Sequence, residues 1–156
     1  MLQRIQTVYL FFIAALMTAV LFLPLAAIQT GDASYTFDVM GIGTAGIQPE
    51  LVYPTWGLFV LTAAIALIAL VTIFLYKKRV LQIRLSVFNA ILMLGFYALF
   101  AFFAYRIHQG LGAAGDLQFS YKIALVFPVI ALILDYLAIR NIGADEMLVR
   151  SLDRLR

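Results

Sequence analysis

Lys77, Lys78, Arg79 and Arg84 stand together at the middle of the chain, between two apolar runs that are each long enough to cross a bilayer. Short loops rich in Lys and Arg stay on the cytoplasmic side of a membrane. This turn is therefore expected inside, and fixing it fixes the side of every other loop. One crossing takes about 20 mainly apolar residues. Four runs of that kind are present, at about residues 7–28, 53–76, 85–105 and 121–139. Together with their loops they use nearly all of the 156 residues. Residues 1–156 are expected to form a single integral membrane domain, with a cytoplasmic tail over 140–156.

The charges test that layout. Of the eleven Lys and Arg residues, only Arg106 and Lys122 fall outside under this topology. Arg4, the central four, Arg140, Arg150, Arg154 and Arg156 all fall inside. Both termini are thus expected in the cytoplasm. The loop over 29–52 carries Asp32, Asp38 and Glu50 and no cation, as an outer loop should. Composition agrees: 65% of residues are apolar and 12% charged. A soluble domain runs near half apolar and a quarter charged. The net charge of +3 is explained by orientation and by anionic lipid headgroups, so nucleic acid is not an expected partner. With no cysteine in the chain, disulfides, thiolate metal sites and a Cys nucleophile are excluded.

Local signals divide the runs. Arg4 and Leu25-Ala26-Ala27 imitate a signal peptide, but the apolar core exceeds the usual 7–15 residues, and an uncleaved span is expected. Pro24 should kink its outer end, and Pro128 should kink the fourth span. Tyr35, Phe37 and Val39 alternate with Thr36 and Asp38, which predicts a short strand or hairpin in the first outer loop. Pro54 suits a first helical position, and Ser120 suits an N-cap for the fourth span. Gly110 to Asp116 reads as a short flexible outer loop. In the tail, Asp145 and Glu146 precede Arg150 and Arg154, the order a helix dipole favours. Leu148, Leu152 and Leu155 share one face, so a short amphipathic helix on the cytoplasmic surface is expected. The fold class expected is an all-α bundle of four transmembrane helices.

The two ends of the chain carry a resemblance. Met1-Leu2-Gln3-Arg4-Ile5-Gln6-Thr7-Val8-Tyr9-Leu10 resembles the start of a bacterial family of small four-span membrane proteins catalogued as domain of unknown function 4293. Ala138-Ile139-Arg140 and Val149-Arg150-Ser151-Leu152-Asp153-Arg154-Leu155-Arg156 resemble that family's end. The resemblance implies the same fold and the inner (cytoplasmic) membrane of a bacterium. It implies no reaction, because the family is uncharacterised.

Asp135 is the sharpest candidate for chemistry. It lies five residues, about 7.5 Å, inside the cytoplasmic end of the fourth run. Ionised carboxylates are costly at membrane depth, so Asp135 is expected to face the bundle and meet Asn89, Gln6 or a cation such as Arg4 or Arg84. A polar clasp between helix ends is the plainer reading of Gln6, Asn89 and Asp135, and a proton or cation site the sharper one. The lone His108 lies at the outer interface. None of Ser34, Ser86, Ser120 and Ser151 sits in a nucleophile elbow. Gly41-x-Gly43-x-x-Gly46 matches a phosphate-loop spelling without the strand–turn–helix context. No cofactor or metal is expected, and no enzymatic activity. The expected function is a non-enzymatic accessory or scaffold subunit of a membrane assembly. A small oligomeric transporter or channel using Asp135 is the alternative. The expected partners are the lipid bilayer and another membrane protein or a second copy of the chain. Contact with partner or anionic lipid is expected at Arg4, Lys77, Lys78, Arg79, Arg84, Arg140, Arg150 and Arg154.

Overall fold

A computed structural model describes residues 2–31, 33–46, 50–76, 78–111 and 117–154, with side chains at all of these but 2–4, 111, 150 and 152–154. Helix α1 spans Leu2–Val20 and is followed by four strands: β1 Ala26–Thr30, β2 Ala33–Phe37, β3 Gly41–Thr44 and β4 Leu51–Pro54. Helices α2 (Trp56–Phe74) and α3 (Arg79–Leu111) come next, then β5 (Leu117–Tyr121), a 3-10 turn over Ile123–Val126, and α4 (Phe127–Arg154). α1 packs against α2 and α4, α2 against α3, and α3 against α4, so the four helices form a ring.

Three of the helices, α2, α3 and α4, are long and apolar enough to cross a membrane. No more than 33% of each apolar window is buried inside the protein. The rest is an apolar outer wall, as a lipid-facing helix requires. The apolar part of α1, Ile5–Val20, is shorter. At 33 residues, α3 runs about 50 Å, well beyond the roughly 30 Å of hydrocarbon. It is therefore longer than the apolar layer is thick.

The five strands form one antiparallel sheet in the order β4-β3-β2-β1-β5, so the fold is mixed rather than all-α. The α1–α2 connection supplies more than the expected hairpin, and the α3–α4 connection supplies β5. Ile28 pairs with Tyr35 on one side and with Phe119 on the other. Leu25 extends both ladders: its N–H donates to the Phe37 carbonyl, and its own carbonyl accepts from Lys122. Gly31 makes the β1–β2 turn with φ +53°, a conformation open to glycine at little cost. Between β3 and β4 the close approach is at Gly41, where a Cβ would lie 2.9 Å from the Tyr53 carbonyl oxygen.

One face of the sheet lies on the bundle. Ala26, Ile28, Phe37 and Ile42 are fully buried, and the Phe37 ring stacks on Phe100 of α3 with centroids 5.1 Å apart. Tyr53 meets Phe103 edge-on at 6.3 Å. Thr55 caps no helix with its side chain; its hydroxyl donates instead to the Asp38 and Val39 carbonyls, tying the start of α2 to the β2–β3 corner.

Several expected boundaries move. The first apolar run does not make one span over 7–28: α1 stops at Val20 and residues 26–30 are a strand. Pro24 lies in the turn between them, where it ends the helix rather than kinking it. Pro128 is the second residue of α4, directly after the 3-10 turn, and the Ala124 carbonyl accepts instead from the Phe127 N–H. Pro54 ends β4 and Ser120 lies within β5. The tail is no separate helix, because α4 continues unbroken past Gly143 to Arg154. Residues 112–116 of the expected flexible loop lie outside the described residues.

The β1–β5 pairing is directly testable, since the chain has no native cysteine. Ala27 and Ser120 are register partners, and directly opposed residues hold their Cβ atoms about 4.5–5.5 Å apart. Ala27→Cys with Ser120→Cys should cross-link on mild oxidation, read as a mobility shift on non-reducing gels. Ala27→Cys with Val52→Cys, three strands apart in the sheet order, should not.

Candidate functional site

The inner face of α3 changes character along its length. Gln82, Ser86, Asn89, Met93, Phe96 and Phe100 are all buried and fall alternately four and three residues apart, so they form one stripe. The first three are polar and the last three apolar. The switch falls between Asn89 and Met93, on the far side from the sheet. Facing the polar half, α4 presents Ala131, Asp135 and Ala138, each essentially inaccessible. The two alanines are the small residues that let neighbouring helices approach closely. α1 adds Gln6 and α2 adds Thr72, both buried. Every helix thus contributes a polar side chain to one end of the bundle interior.

Some of these groups are satisfied. Gln6 Nε2 donates to Asp145 Oδ2 at 2.9 Å, and Arg79 Nη1 donates to the Asp145 carbonyl at 3.4 Å. Asp145 is where α1, α3 and α4 meet. Thr72 donates back to the Ile68 carbonyl, and Gln82 Nε2 reaches the Thr72 carbonyl at 3.4 Å. Deeper in, the bookkeeping changes. Ser86 Oγ, both amide atoms of Asn89 and both carboxyl oxygens of Asp135 are buried with no hydrogen-bond partner. The Ser86 hydroxyl lies beside the Asp135 carboxyl without reaching bonding geometry. A buried polar atom that lacks a partner costs about 1–3 kcal/mol.

Of the expected cluster, Asn89 and Asp135 are both buried in the α3–α4 half of the interior, whereas Gln6 turns to Asp145. Gln82, Ser86 and Thr72 were not among the expected residues. The 82, 86, 89 spacing on one helical face is the signal that picks out the first two. Arg84 and Arg140 are exposed and do not pair with Asp135 among the described residues. Lys77 lies outside the described residues, as do the side chains of Arg4, Arg150 and Arg154.

Just beyond the polar half, at the same end of the molecule, an open cavity of about 820 Å³ lies between the α2–α3 turn and the last turns of α4. Lys78, Arg79 and Arg84 line it, with Glu146 opposite. The sheet end carries a smaller cavity of about 410 Å³ between β3–β4 and Arg106 and Ile107 of α3. Asp38, half-buried at the β2–β3 corner, has its carboxyl held above the usual carboxylate range by desolvation. No group of three His, Asp or Glu side chains is placed to hold a metal ion among the described residues.

Three membrane-length apolar helices in a bundle, capped at one end by a sheet and polar inside at the other, define a multi-pass membrane protein. The chain matches the domain of unknown function family DUF4293 over residues 2–155 and belongs to that family. No curated relative matches it.

The contrast between paired and unpaired groups leads to opposite mutational effects. Gln6→Leu leaves Asp145 without its donor and should lower stability by about 1 kcal/mol. Asp135→Asn keeps the size of the side chain and removes a buried unpaired carboxylate, whose desolvation is costly. It should raise the melting temperature in detergent by about 2–4 °C, the shift expected for about 1 kcal/mol in a chain of this length. Thermal unfolding followed by circular dichroism reads both.

Proposed function

We propose that this protein is a bacterial inner-membrane protein with both termini cytoplasmic, serving as a non-enzymatic accessory or scaffold subunit of a membrane assembly. α1, 19 residues long and about 29 Å, makes the fourth crossing. The observation that carries the reading is the closed interior. Past Asn89 the stripe on α3 is Met93, Phe96 and Phe100, and Phe100 is sealed under Phe37 of the sheet. On the α3 stripe the buried side chains are apolar from Met93 onward, so among the described residues this stripe gives no polar path from end to end. The apolar outer walls of α2, α3 and α4 are the surfaces through which such a subunit meets lipid, a partner or a second copy. Capture of the tagged full chain in mild detergent, followed by mass spectrometry and sizing, should return a stoichiometric membrane partner or a homo-oligomer. Reproducible recovery as a lone monomer overturns this reading.

A second reading is favoured by the five unpartnered atoms of Ser86, Asn89 and Asp135. One carboxylate with neutral oxygens beside it is the chemistry of a proton or small monovalent cation site, and an oligomer could complete the path that one bundle lacks. On that reading the protein in vesicles carries a proton- or cation-coupled flux, and Asp135→Asn abolishes it. Absence of flux in the parent protein discards it.

A further inference from the structure

We propose that the open cavity between the α2–α3 turn and the end of α4 is a binding site for the phosphate headgroup of an anionic phospholipid. Three features of the cavity converge on that ligand. The first is charge: Lys78, Arg79 and Arg84 against the one carboxylate of Glu146 leave the lining positive. Arginine suits phosphate oxygens through its planar fork of donors. Arg79 is also already oriented, because its Nη1 is anchored on the Asp145 carbonyl.

The second feature is the apolar wall. Leu81 and Val149 line the same cavity and are 40% exposed each, and Tyr76, also in the lining, is 51% exposed. A soluble anion gains nothing from such a surface, whereas an acyl chain attached to the phosphate does.

The third feature is height. The cavity opens where α2 has just ended at Phe74 and α3 begins at Arg79, a few residues short of the apolar stretch of α3. That is the level of lipid headgroups, where basic pockets between membrane helices take phosphate. A cytoplasmic protein segment would need only the charges. The ligand that matches cations, apolar wall and interfacial depth together is an amphiphile with an anionic phosphodiester. The site does not depend on the accessory reading: it stands whether or not the chain has a protein partner.

The test uses the purified full chain, delipidated in detergent. Phosphatidylglycerol or phosphatidylethanolamine is titrated in mixed micelles, with native mass spectrometry counting retained lipid and thermal unfolding reading stabilisation. Phosphatidylglycerol should be retained about tenfold or more in preference to the zwitterionic lipid. Lys78→Gln with Arg84→Gln should lower that retention by about thirtyfold, given the usual contribution of each basic side chain near anionic lipid. This pair leaves Arg79 on its structural hydrogen bond, so the fold is kept. Arg106→Gln with Lys122→Gln removes the same charge at the sheet end and should leave retention unchanged. Equal retention of the two lipids overturns the proposal, as does equal loss in the two double variants. Inorganic phosphate is the second probe. Stabilisation by phosphate alone equal to that by phosphatidylglycerol would assign the cavity to a soluble anion and overturn the lipid assignment.

Discussion

Strand β1 hydrogen-bonds along both of its edges, to β2 on one side and β5 on the other, and the shape of the molecule depends on this. β2 belongs to the α1–α2 connection and β5 to the α3–α4 connection. Pairing both with one central strand joins the two helical hairpins at that end. The backbone of a long connection over a bundle must place its N–H and C=O groups somewhere. A sheet satisfies them in a layer whose lower face can be apolar. Ala26, Ile28, Phe37 and Ile42 form that face, and the stack of Phe37 on Phe100 fixes its position over α3.

The opposite end is held by different means. There Asp145 collects Gln6 from α1 and Arg79 from α3, and the short α2–α3 turn is closed by backbone bonds at Leu75 and Lys78. Sheet-end contacts are apolar and extensive, while those at the basic end are few, directional and charged. The buried polar groups and the large open cavity both lie at that end.

How much of this was legible in the sequence follows from what hydropathy measures. α2 and the apolar part of α3 could be read within a few residues, because a long run without charge has few alternatives. The asymmetry of the cations was equally plain, since it needs no structure to count. The first run misled because Leu25 to Ile28 is as apolar as the helix before it, and apolar content alone does not separate a buried strand from a helix. Pro24 was the available clue, and a stop fits its chemistry as well as a kink does. β5 was hidden for another reason. Gln118, Phe119, Ser120 and Tyr121 do alternate, but over too few residues to stand out, and their partner lies about 90 residues earlier. A non-local pairing leaves no mark on either segment by itself. The polar stripe on α3 was legible only in part. Asn89 stood out as an amide among apolar neighbours. Ser86 and Gln82 lie close to the basic turn, where polar residues raise no question until the helix is known to begin at Arg79.

The unpaired atoms at the centre weigh on the function more than the cavities do. A bundle of this size could fill its interior with apolar side chains, as the α3 stripe nearer the sheet does. Buried without a hydrogen bond to another protein group, Ser86, Asn89 and Asp135 stabilise the polar half less than apolar side chains of similar volume would. Natural chains retain such groups where something other than stability depends on them. For a clasp between helix ends, the expected geometry is mutual hydrogen bonding, as between Gln6 and Asp145. The three deeper residues lack that geometry although they share the interior, and Ser86 already neighbours Asp135. In this they differ from Gln6 and Asp145, which bond each other across two helices. One turn nearer the basic end, the buried side chain of Gln82 donates to the Thr72 carbonyl at 3.4 Å and so ties α3 to α2 below that cluster.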